Sequence, residues 1–103
     1  MDESQRLKST LAGDPVIGEV IALFVSELAD RVASIQTACD EGSMTTLQVL
    51  AHQLKGAAGS HGFAPISEAA GRLERAAQTG HDLPAIRSSL AELAHLCERA
   101  STG

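Results

Sequence analysis

The residues of this 103-residue chain best suited to chemistry lie within one stretch of eight: His52, Lys55, Gly56 and Gly59. If that stretch is helical, Lys55 at i+3 and Gly56 at i+4 neighbour His52 on one surface, and Gly59 at i+7 falls on the same side. With Leu47 set at zero and about 100° added per residue, Leu47, Leu50, Ala51, Leu54, Ala57 and Ala58 fall within roughly 80° of one apolar centre, while His52 falls near 140°. The imidazole is therefore directed away from the core. An unperturbed imidazole titrates near 6.5, so at physiological pH its neutral form is a competent nitrogen nucleophile that can accept a phosphoryl group. Lys55 would offer positive charge to the phosphoryl oxygens, and the missing side chains at Gly56 and Gly59 would let a partner's active site approach in line. Val49, one turn before His52, is a candidate apolar docking contact, with burial beneath a neighbouring helix as the competing expectation. Each residue alone has an ordinary reading: a surface histidine, a solvated lysine, and glycines that mark fraying of the helix towards Gly62.

The element that must hold these residues is one of four. Ala and Leu supply 29 residues against 10 from Val and Ile, and no alternating apolar and polar run is long enough for a strand, so the chain reads as all-α. Asp14 followed by Pro15 reads as an N-cap with proline in the first turn, opening a long helix that runs to the Asp40-Glu41-Gly42 stop. Its stripe is Ile17, Ile21, Phe24, Leu28, Val32 and Ile35, widened by Val16, Val20 and Val25. Ser43 caps a second helix, which the Gly59 to Gly62 cluster weakens into a turn. Pro65 opens a third helix on Ile66, Ala69, Ala70, Leu73, Ala76 and Ala77, closed by Gly80. After Asp82, a fourth carries Leu83, Ile86, Leu90, Leu93 and Cys97. Short connections favour antiparallel neighbours, so the expected architecture is an antiparallel up-down four-helix bundle. A short N-terminal helical lead through Leu7 and Leu11 precedes it. The domain reading is one unit over 1–103, with the lead over 1–13 and the bundle over about 14–99.

Composition narrows the function. Hydrophobic residues at 44% and charged residues at 20% describe a globular chain that buries roughly two-thirds of its unfolded surface. The longest apolar run, Val20 to Val25, is too short to span a bilayer. Two Phe with no Trp or Tyr give no stacking platform, and a net charge of −5 opposes phosphate backbones, so neither membrane nor nucleic acid is an expected partner. Without a signal-like leader, and with only Cys39 and Cys97, the expected compartment is a reducing cytoplasm and both thiols read as small buried hydrophobes; a bridge between them stays open.

The run His52-Gln53-Leu54-Lys55-Gly56-Ala57-Ala58-Gly59, continued by Gly62-Phe63 and later by Leu73-Glu74, resembles the histidine-containing phosphotransfer (HPt) domain of multistep phosphorelays. The likeness extends from about Leu7 through the final helix and takes in Phe24 and the Asp40-Glu41-Gly42 turn. It implies a helical bundle whose second-helix histidine is reversibly phosphorylated, with His52 as phosphoacceptor, Lys55 as phosphate-side cation, and Gly56 as the small residue that admits the partner. It implies a carrier without kinase activity of its own. In related domains a Gln or Glu on the next helix orients the acceptor ring. The matching position is Glu74, about 100° from Leu73 on the flank of the core stripe, with Gln78 one turn on as a rival. Gln53 and His61 depart from the commonest family pattern.

The partners this implies are response regulator receiver domains and a hybrid histidine kinase, with a Mg ion expected on the receiver, no cofactor in this chain, and a monomeric state. The alternatives are an adaptor of the same shape that binds a receiver or kinase without phosphorylation, and the phosphoacceptor region of a histidine kinase. The last ranks below the others because Gln53 stands where such kinases carry an acidic residue. Glu92 and His95 form a single Glu-x-x-His, whereas a di-iron bundle needs two copies and further carboxylates, and both residues turn away from the fourth helix's stripe. His61 falls on the core side at the end of its helix as a packing or capping residue, and His81 falls in a turn.

Overall fold

A computed structural model describes residues 7–11, 15–80 and 82–101. In chain order these form β1 (Leu7–Lys8), α1 (Pro15–Asp40), α2 (Met44–Ser60), α3 (Ala64–Thr79), α4 (Leu83–Arg99) and β2 (Ala100–Ser101). The four helices make the expected up-down bundle. Asp14 and His81, read above as a helix cap and a turn residue, lie outside the described residues.

Glycine sets the turns. Gly42 and Gly62 adopt φ values of +71° and +81°, which residues with a Cβ rarely take up. In both turns the residue after the glycine donates its backbone N–H five residues back, Ser43 to the Ala38 carbonyl and Phe63 to the Ala58 carbonyl, each at 2.9 Å. The glycine itself donates three residues back, completing a Schellman stop that satisfies the last helical carbonyls. Gly80, at φ +64°, ends α3 with a simpler bond to the Ala76 carbonyl. Asp82 then caps α4, its carboxylate accepting from the Ala85 N–H at 3.0 Å. Ser43 stands at the start of α2, but its hydroxyl donates to Thr46 Oγ1 instead of accepting from the backbone.

Each helix sends an apolar stripe to one core that includes Ile21, Ile35, Leu47, Leu54, Leu73 and Leu93, all fully buried. Burying a side chain of this size contributes about 1.5–3 kcal/mol, which makes these positions the main source of stability. The stripe of α1 is shorter than its sequence suggests. Val16, Val20 and Leu23 are more than half exposed, and Ile17 is exposed at 36%. The reason is length: α1 has 26 residues against 17 in α2, and at 1.5 Å per residue its N-terminal end overhangs by roughly 13 Å. Leu83, in the first turn of α4, is likewise exposed.

The N-terminal helical lead is corrected among the described residues. Leu7 and Lys8 are extended and pair in parallel with Ala100 and Ser101. Ser9 is buried; its hydroxyl donates to the His61 carbonyl at 2.5 Å and accepts from the Leu11 N–H at 3.0 Å. The Thr10 N–H donates to the Gly62 carbonyl at 3.0 Å. A serine hydroxyl that bonds backbone on both sides competes with helix formation, and here it fastens the segment to the α2–α3 turn.

Candidate functional site

The site lies on the seam between α2 and α3, which run antiparallel in close register. Gln48 Nε2 donates to the Ala77 carbonyl at 3.2 Å at one end of the seam, and Ser67 Oγ donates to the Lys55 carbonyl at 2.9 Å towards the other. Between them His52 faces Glu74, with Nδ1 at 3.0 Å from Oε2. The His52 side chain is 70% exposed and that of Glu74 is 17% exposed. A carboxylate accepts, so in a neutral imidazole this contact puts the ring hydrogen on Nδ1 and the lone pair on Nε2. Glu74, not Gln78, meets the ring. The fold thus holds the imidazole from its inner side through Nδ1, with the rest of the side chain largely exposed.

The two glycines of the motif have different surroundings. A Cβ built on Gly56 would meet nothing within 4 Å, so this is the open ground beside the ring. A Cβ on Gly59 would lie 3.4 Å from Ser67 Oγ. Gly59 therefore lies on the α2–α3 seam, where a Cβ would make ordinary van der Waals contact with Ser67. The helix continues through both glycines to Ser60, with Gly59 in its last turn. Val49 is half exposed, one turn before His52. Lys55 is exposed, and its Cδ and Cε pass over Gly71 of α3.

Ser67, Gly71 and Arg75 join this seam from α3. Their only signal in the sequence is their spacing on the third helix, which means nothing until the register with α2 is known.

The remaining candidates have other surroundings. His61 is the residue that ends α2; its ring stacks on Phe24 at 4.6 Å between centroids and 11° between planes, and its Nδ1 donates to the Ala57 carbonyl at 2.6 Å. Glu92 pairs with Arg72 across α3 and α4, and His95 is exposed. Among the described residues no group of three or more His, Cys, Asp or Glu side chains is placed to hold a metal ion. Cys39 and Cys97 are buried and unbridged. Burial, with the Glu98 charge adding to it, pushes the Cys97 thiol up to about 11, so it stays protonated at neutral pH. Among the described residues no helix is long and apolar enough to cross a membrane.

Compared with known protein families, residues 19–103 match the model of the Hpt domain. The chain belongs to the Hpt domain family. No curated protein and no solved structure gave a significant match. Hpt domains take part in two-component signalling by phosphotransfer through a histidine, acting as phosphocarriers and not as kinases. They interact with receiver domains and kinases in phosphorelays.

Proposed function

We propose that this Hpt domain carries a phosphoryl group on Nε2 of His52, taking it from the aspartyl phosphate of one receiver domain and delivering it to an aspartate of another. The observation that carries the reading is the exposed imidazole whose Nδ1 is held by Glu74. In the forward step the Nε2 lone pair attacks phosphorus and a P–N bond forms. The bond from phosphorus to the aspartyl oxygen breaks, and its electron pair leaves with the carboxylate. The ring proton stays on Nδ1, so no proton has to be transferred. The ring becomes positively charged, and the Glu74 carboxylate offsets that charge. Delivery is the same step in reverse.

Lys55 is the cation on the phosphoryl side, Gly56 gives the receiver room to approach, and Val49 adds an apolar docking contact. Magnesium enters this reading as part of the receiver's site. A carrier that must release its partner quickly needs only a small interface, at the lower end of the range for protein pairs, and the domain acts as a monomer. A hybrid kinase stands upstream as the source of phosphate.

Incubation with a radiolabelled phospho-receiver tests this. Wild-type protein is expected to gain an acid-labile, base-stable label, and His52→Gln none. Unchanged labelling of His52→Gln would exclude His52. Binding of the receiver without any label on wild-type protein would favour an adaptor.

A further inference from the structure

Arg75 directly follows Glu74 on α3 and is exposed, with solvent available to it. Its guanidinium nevertheless folds back along its own helix. A Cβ built on Gly71 would lie 3.4 Å from Arg75 Nη1, 3.5 Å from Lys55 Cδ and 3.7 Å from Lys55 Cε. The lysine stem from α2 and the arginine head from α3 thus meet over Gly71, at distances where even a Cβ would make ordinary van der Waals contact with both. Like charges brought together on a surface repel each other. Among the described residues the ion pairs join His52 to Glu74, Arg72 to Glu92 and Arg87 to Asp40, and none takes up Lys55 or Arg75. Glu74, the carboxylate adjacent in sequence, is committed to the imidazole. Among the described residues, then, neither Lys55 nor Arg75 forms an ion pair, and Lys55 lies one helical turn from His52.

We propose that Arg75 is a second phosphate-side cation, which closes with Lys55 across Gly71 onto the phosphoryl group carried by His52. The inference rests on the carrier reading above. A phosphoryl group on Nε2 has several oxygens, so an ammonium from α2 and a planar guanidinium from α3 can each engage it. Arg75 forms no bond to phosphorus and moves no proton; it favours the phosphorylated state by charge alone.

Phosphoramidate is a suitable probe, because it phosphorylates an imidazole without a receiver, its own P–N bond breaking as ammonia leaves. The phosphorylated protein is then titrated at low salt and followed by 31P NMR. Removing a nearby cation makes the phosphoryl group easier to protonate. Arg75→Gln is therefore expected to raise its proton affinity about threefold, within the range of an exposed ion pair, with the effect shrinking in 1 M salt. Arg75→Lys should return the midpoint most of the way, which a merely structural role would not require. A titration of Arg75→Gln that coincides with wild type would overturn the proposal while leaving the carrier reading intact, as would an effect of Arg75 seen only when a receiver is present. Failure of wild-type His52 to take phosphate from either phosphoramidate or a charged receiver would overturn the carrier reading, and this proposal with it.

Discussion

Two histidines sit on the same helix only nine positions apart in sequence, and the middle of α2 treats its ring very differently from the end. Both have Nδ1 engaged by an oxygen, Glu74 Oε2 at 3.0 Å for His52 and the Ala57 carbonyl at 2.6 Å for His61. The tautomer is thus the same, and it is not what separates them. His61 lies flat on Phe24, and its backbone carbonyl is tied to Ser9, so one ring face and the main chain are both committed. His52 keeps its side chain 70% in solvent. The acceptors differ too: a carbonyl is a fixed neutral dipole of the same helix, whereas a carboxylate on the neighbouring helix can balance a charge that develops on the ring. Access and a facing carboxylate are what set His52 apart, and the same ring without them ends a helix.

The largest effect should come from disturbing the His61 end. Gly62 has φ +81°, and a Cβ there would fall 2.5 Å from Ser9 Oγ and 2.8 Å from Thr10 Oγ1. Gly62→Ala should cost about 2–4 kcal/mol in urea unfolding, from left-handed strain plus overpacking, while His52 in the folded fraction still takes label. A cost of a few tenths would mean that the N-terminal segment does not press on this turn. Next comes the His52 end. Glu74→Ala should slow phosphate uptake from a charged receiver roughly tenfold, the scale seen when the hydrogen-bond partner of a working histidine is removed, and Glu74→Gln should recover part of it. An uptake rate equal to wild type would break the claim that the carboxylate prepares the ring. The smallest effect sharpens the contrast: His61→Leu, which loses the stack and the helix-end bond, should cost about 1 kcal/mol of thermal stability and leave labelling unchanged. Loss of label in that variant would merge the two regions that the geometry separates.

Much of this was legible in the residues themselves. Gly42 and Gly80 announced helix ends that the backbone adopts, and the outward phase of His52 followed from the positions of Leu47, Ala51 and Leu54, all of which prove fully buried. What a single helix cannot reveal is its register against another. The choice between Glu74 and Gln78 depended on how far α3 slides along α2, as did the meeting of Lys55, Gly71 and Arg75. The overhang of α1 was hidden for a related reason: Val16 and Val20 carry the right period for a core, yet both stay more than half exposed. Two extended residues at Leu7 and Lys8 are too few to show any period, and their conformation follows from the partner strand.

The parallel clasp of Leu7–Lys8 with Ala100–Ser101 unites positions separated by nearly the whole length of the chain. Closing so large a loop in an unfolded polypeptide would forfeit considerable entropy for a handful of contacts. Once the helices have assembled, most of that loss has already occurred, and the two short strands meet for little more. The clasp is thus a product of the assembled bundle and not its nucleus.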